Sequence, residues 1–137
     1  MTDQNQTAQM LRGMPFAATL GLREVVASPE RVEASILHDL SLCTGNGILH
    51  GGVLMGLADA VGGYCAFLNL PPTAAGTATI ESKTNFLRPV HSGAVRATAR
   101  PLHIGRTVIV VDTELHDDQD RLVARTTQTQ AVLAPRA

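Results

Sequence analysis

Residues 48–68 read ILHGGVLMGLADAVGGYCAFL, a run of apolar and small residues broken by one carboxylate, Asp59, and opened by His50-Gly51-Gly52. A run of this kind forms a long helix whose surface something else must cover. Burying an ionised carboxylate without partners costs several kcal/mol, a large share of the stability of a small domain. Asp59 therefore sits at an exposed edge of that helix or is held there for chemistry.

The run approaches the ~20 residues that cross a bilayer, and Gly52 and Gly56 have GxxxG spacing. Asp59 at its middle and the lack of Lys or Arg near either end argue against a span. The N-terminal stretch MTDQNQTAQMLRGMPF has neither the basic start nor the apolar segment of a secretion signal. A cytoplasmic location is the expectation.

The length of 137 residues fits one compact domain. The organisation read from the pattern is an N-terminal helical segment over residues 1–20 and a single domain over 21–137. Aromatics make up 3% of the chain and Trp is absent, so Ala, Val, Leu and Ile must build the core. The ten arginines and the single lysine, Lys83, are scattered and the formal charge is −1, which argues against a nucleic-acid partner. Cys43 and Cys65 lie far apart with no CxxC or metal-ligand spacing and read as free thiols. No GxSxG, HExxH, P-loop or GxGxxG pattern occurs, and no metal site is expected.

Around the central helix, helical turns are expected over residues 3–11 and 15–20, with Gly21 ending the second. Residues 22–27 and 31–37 alternate as a hairpin around Ser28-Pro29-Glu30, and 39–47 reads as a loop. The helix should end near Asn69, ahead of Pro71-Pro72. Strands follow over residues 77–87, 94–103, 107–116 and 122–133, read as an antiparallel meander. The fold class is α+β, the helix lying on the sheet.

At a helix start, free backbone N–H groups and the positive end of the dipole favour developing negative charge. Gly51 and Gly52 have no side chains, so a carbonyl oxygen could approach those N–H groups as in an oxyanion hole. Gly51 and Asp59 are eight residues apart, about 12 Å at ~1.5 Å per residue, while reacting groups must come within about 3.5 Å. Both can act on one carbonyl only if a second subunit brings its Asp59 beside this chain's Gly51. The chemistry therefore predicts a homodimer with two equivalent shared sites.

HGGVLMGLAD, then TIESKTNFLRP, a GR-centred turn and a Thr/Gln-rich last strand together resemble the hotdog-fold acyl-CoA thioesterases of the phenylacetate-degradation (PaaI) type, over about residues 20–133. The resemblance implies a hotdog fold, with a long central helix wrapped by an antiparallel sheet of five to six strands. It implies dimers joined edge to edge, often paired into tetramers. The implied reaction turns a thioester into a free acid and coenzyme A, with no metal or redox cofactor.

By the same resemblance Asp59 is the catalytic acid, as general base or nucleophile, and Gly51, following His50, is the backbone donor from the partner subunit. Thr79 falls where related enzymes carry a hydroxyl that orients water or the acid. Residues 86–91 and 103–108 match the coenzyme A tunnel, giving Phe86, Leu87, Arg88, Pro89, His103, Gly105 and Arg106 as binding candidates together with Gly52. Arg88 and Arg106 are the candidates for its phosphates. Many relatives carry Asn or Gln six residues before the His; here that position is Thr44, with Asn46 two residues on, and Asn46 is kept as a candidate. Gly63 stands where some relatives have Ser or Thr. The acyl pocket is expected along Met55 and Ala58 together with residues of the partner subunit. The competing readings are a non-catalytic acyl-CoA-binding regulator and a hydroxyacyl-thioester dehydratase that uses His50.

Overall fold

In the computed structural model, which describes residues 3–136, the apolar run is one helix, α3 (Gly51–Leu68). Two α-helices precede it, α1 (Asp3–Gly13) and α2 (Pro15–Thr19). His50 starts α3 because its backbone is extended (φ −62°, ψ 136°) while its side chain accepts the Gly52 N–H. Asn69 closes the other end, its side-chain amide donating to the carbonyls of Cys65 (2.8 Å) and Pro29 (2.7 Å). Leu57, Ala58, Val61 and Cys65 turn fully inward.

Six strands cover the helix: β1 (Arg23–Ser28), β2 (Arg31–Leu37), β3 (Gly76–Phe86), β4 (Ala94–Ile104), β5 (Val108–His116) and β6 (Leu122–Leu133). Their order is β1-β2-β4-β5-β6-β3, with every pairing antiparallel. The expected β1–β2 hairpin is present. On β5 the inward positions Ile109, Val111, Thr113 and Leu115 alternate with half-exposed ones, as a sheet packed on one face requires.

One expectation is corrected. The last four strands are no simple meander, because β3 pairs with β6 at the sheet edge and β4 pairs with β2 and β5. The link between β3 and β4 carries Pro89 and crosses the end of the sheet instead of turning back as a hairpin. It is pinned on the way: Leu87 N–H donates to Val123 O (2.8 Å), and Leu49 N–H, just before α3, donates to Val90 O (2.9 Å). The same link thus lies against the helix start.

Met10, Ala17 and Leu20 from the N-terminal helices join the same buried core, and the Gln6 amide bonds both ways to the Ala27 backbone (2.9 and 3.3 Å). Residues 1 and 2 of the segment read as N-terminal lie outside the described residues.

β3 carries a bulge at Ile80, since Thr79 faces Gln130 and Glu81 already faces Thr129. The extra residue shifts the alternation. Thr77 and Thr79 face the helix before it, and Thr84 and Phe86 do so after it. Both cysteines are free, and burial pushes the Cys65 thiol up to about 11. Among the described residues α3 is the one helix long and apolar enough to cross a membrane, and it is packed on the sheet.

Candidate active site

The first N–H groups of a helix have no partner within it. At α3 two of the three are taken, Gly52 N–H by His50 Nδ1 (2.8 Å) and Val53 N–H by His50 O (2.9 Å). The open donor among the described residues is Gly51 N–H, so the expectation of two available groups is corrected to one. His50 holds the helix start in shape, and its Nδ1 is committed to doing so.

Phe86 packs over Gly51 so closely that a Cβ there would lie 3.2 Å from the ring edge. The groove beside it, about 350 Å³, is lined by Thr44, Leu54, Phe86, Leu87, Arg88 and Pro89 among others. The run Phe86 to Pro89 thus lies beside Gly51. Thr44 enters the wall, whereas Asn46 lies outside it, in a left-handed conformation (φ 63°) within the short 3-10 turn Gly45–Gly47.

Two turns on, Asp59 is exposed on α3 and still well engaged. Its Oδ1 accepts from Thr79 Oγ1 (2.9 Å) on β3 and from Gln128 Nε2 (3.1 Å) on β6. Gln128 also donates to Gln130 Oε1 (3.1 Å), and Gln130 Nε2 donates to Thr77 Oγ1 (3.1 Å). The carboxylate thus lies at the helix edge, in a polar patch supplied by two strands.

Sequence reasoning missed Gln128 and Gln130, which are 0% and 2% exposed. The available signal was TTQTQAVL, where the inward positions of a covered strand carry amides in place of aliphatic residues. Gln128 Oε1 has no partner among the described residues, and an unpaired buried acceptor costs roughly 1–3 kcal/mol. Gly62 makes room for it, because a Cβ at that position would collide with Gln128 Oε1.

The pocket at Asp59, about 230 Å³, is lined by Met14, Ala60, Gly63, Phe67, Thr77, Thr79 and Gln130 among others. The expectation that Ala58 lines an acyl pocket is corrected, while Met55 is exposed on α3. Ala58 is fully buried beneath the sheet and Met55 does not reach this pocket. Asp59, Ala60, Gly63 and Phe67 share one helical face, and the absence of a side chain at Gly63 leaves the pocket open.

His103, Gly105 and Arg106 lie where β4 turns into β5 and do not meet the Phe86–Pro89 groove within one chain. Gly105 is required there, since a Cβ would come within 2.8 Å of both His103 Nε2 and Val108 O. Val132 N–H bonds Thr107 O, and Val132 pairs with Thr77, so this turn lies at the Thr77 end of the sheet. The candidate residues thus fall into two sets, Gly51 with Phe86 to Pro89 and Asp59 with Thr79, whose grooves share no lining residue. Among the described residues no group of three or more His, Cys, Asp or Glu could hold a metal ion.

A long helix wrapped by a six-stranded antiparallel sheet is the hotdog fold, and the comparisons with known proteins make the chain a thioester hydrolase on that fold. Residues 46–124 match the family profile of the Thioesterase superfamily, and the chain belongs to that family. ComA2 of Bacillus subtilis is 34% identical over 114 residues, covering 83% of this chain and 90% of its own. The solved thioesterase PA1618 of Pseudomonas aeruginosa, in a mutant form, superposes with a TM-score of 0.86 at 30% identity and covers 94% of both chains. Thioesterase HI1161 of Haemophilus influenzae gives 0.85 at 28% identity, over 98% of this chain and 92% of its own. The PaaI protein of E. coli shares the fold at 21% identity, with a TM-score of 0.82 over 96% of this chain and 94% of its own.

Proposed function

We propose that the protein hydrolyses acyl-CoA thioesters to a free acid and coenzyme A, in sites each made of Asp59 from one protomer and Gly51 N–H from a second. The observation that carries this reading is the separation of the two groups along one rigid helix, each with its own groove. The exposed edge of β3 supports the pairing of two copies, since an edge strand presents unpaired N–H and C=O groups. Pairs of such dimers would form the tetramer.

The thioester carbonyl would accept the Gly51 N–H at the positive end of α3, where negative charge developing on oxygen is stabilised. Asp59 would act on the other side, as general base toward water or as nucleophile on the carbonyl carbon. On the covalent route Asp59 expels the coenzyme A thiolate and forms an anhydride; label in the Asp59 carboxylate after single turnover in heavy-oxygen water establishes that route, with water opening the anhydride at the Asp59 carbonyl. Arg88, in the groove wall beside Gly51, would meet the coenzyme A phosphates from one chain and Arg106 from the other. No metal or redox cofactor is required. The acyl group would leave Asp59 past Met14 and Phe67, which also line an apolar groove of about 290 Å³ with Met10, Gly13 and Tyr64. The commitment of His50 Nδ1 to Gly52 favours hydrolysis over a His-driven dehydration.

The test is thiol release across aliphatic, aromatic and hydroxylated acyl-CoAs, with Asp59→Asn as control. Mixing Asp59→Asn chains with Gly51→Pro chains should restore about one quarter of wild-type activity, because each mixed dimer has one intact site. A strictly monomeric protein with full activity, or no recovery on mixing, overturns the shared site.

A further inference from the structure

The Asp59 neighbourhood holds more hydrogen-bonding groups than holding a carboxylate in place requires. Both of its donors, Thr79 Oγ1 and Gln128 Nε2, fall on the same oxygen, Oδ1. The two donors are not equivalent. Thr79 has one hydroxyl hydrogen and also contacts Gln130 Oε1, so it can serve only one of the two acceptors at a time. Gln128 has two amide hydrogens, one aimed at Asp59 Oδ1 and the other at Gln130 Oε1, so neither is contested. Reversing the amide would place its oxygen against both acceptors, which fixes the orientation.

Gln128 is itself fully buried, reaches Asp59 across 69 residues of sequence, and leaves its own Oε1 unpaired beside Gly62. A purely structural position in this core would be filled more simply by an aliphatic side chain, as at Val111 and Leu115. We infer that Gln128 is a positioning residue for Asp59: it holds Oδ1 from beneath, so that Oδ2 is the oxygen presented to water or to the thioester carbonyl. The inference rests on the proposed role of Asp59 and adds to it the choice of reactive oxygen and the group that makes that choice. Gly62 belongs to the same device, because only a glycine lets the amide pass over α3 to reach Asp59.

The experiment measures kcat and KM separately, with thermal melting, for Gln128→Met, Gly62→Ala, Asp59→Asn and the Gln128→Met/Asp59→Asn double variant. Methionine keeps the unbranched shape and removes the donor. Gly62→Ala leaves Gln128 intact but pushes its flexible end aside, and alanine suits a helix, so it tests the idea even if Gln128→Met folds poorly. Each single change at Gln128 or Gly62 is expected to lower kcat about 10- to 100-fold, the scale of a misplaced reacting group, with KM within about twofold. In the Asp59→Asn background Gln128→Met should produce no further loss, because a residue acting through Asp59 has nothing left to act on. Wild-type kcat in both Gln128→Met and Gly62→Ala, or a full additional loss in the double variant, overturns the inference while leaving Asp59 in place. Wild-type turnover in Asp59→Asn alone would instead remove the proposed role of Asp59, and this one with it.

Discussion

At the start of α3 the proposed reactive group is a backbone N–H, framed by Gly51 and screened by the Phe86 ring; two turns further on the proposed group is a carboxylate tied through side chains to β3 and β6. The first half depends on helix geometry and on the absence of a side chain. The second depends on three particular side chains arriving together from distant parts of the sequence. A backbone donor survives most substitutions around it, whereas a side-chain network fails when one member is lost. The halves should therefore respond to mutation in different ways.

The largest expected effect is at the carboxylate, where Asp59→Asn should lower kcat at least ~100-fold in a thiol-release assay, as for a positioned acid or base. Next comes the backbone half. Gly51→Pro removes the N–H at the first helical position, where proline is tolerated, while Gly51→Ala keeps it and adds only the contact with Phe86. The ratio of the two variants isolates the donor and should be ~100-fold in kcat. Equal activity would erase the distinction between the halves. A smaller effect falls on stability: His50→Ala removes the side chain that holds Gly52 N–H and should cost about 1 kcal/mol in denaturant unfolding.

The smallest effect lies outside both halves and serves as their control. The Arg121 backbone N–H, its guanidinium and the Gln119 N–H hold the Asp117 carboxyl below its ordinary range. A carboxylate depressed in the folded state stabilises above its unfolded pKa, and that contribution is lost as pH falls through the folded value. The melting-temperature gap between wild type and Asp117→Asn should thus shrink from pH 7 toward about pH 2, with thioester turnover at neutral pH unchanged.

What could be read from the chain alone follows the same division. The helix, its first and last residues, the β1–β2 hairpin and the strand spans are set by local patterns of glycine, proline and alternating apolar residues, and these match the structure closely. The pairing of β3 with β6 is not a local property. It depends on where a strand lands after a crossing, and the spacing of turns carries no record of that. The same reason hid Gln128: an amide in a strand is unremarkable until the carboxylate 69 residues away is known to face it. The position of His50 just before Gly51 suits hydrogen bonding at the helix start, and its Nδ1 accepts the Gly52 N–H.

The position of α3 in the chain also bears on how the protein is made. Residues 51–68 leave the ribosome before β3 to β6, the four strands that supply most of their cover. An apolar helix with little charge is therefore exposed while the remaining residues, 69–137, are synthesised. Since β4 must then insert beside β2, emitted some sixty residues earlier, the sheet cannot close strand by strand. Folding waits for the C-terminal strands, and during that interval α3 is the segment most open to chaperone capture or aggregation.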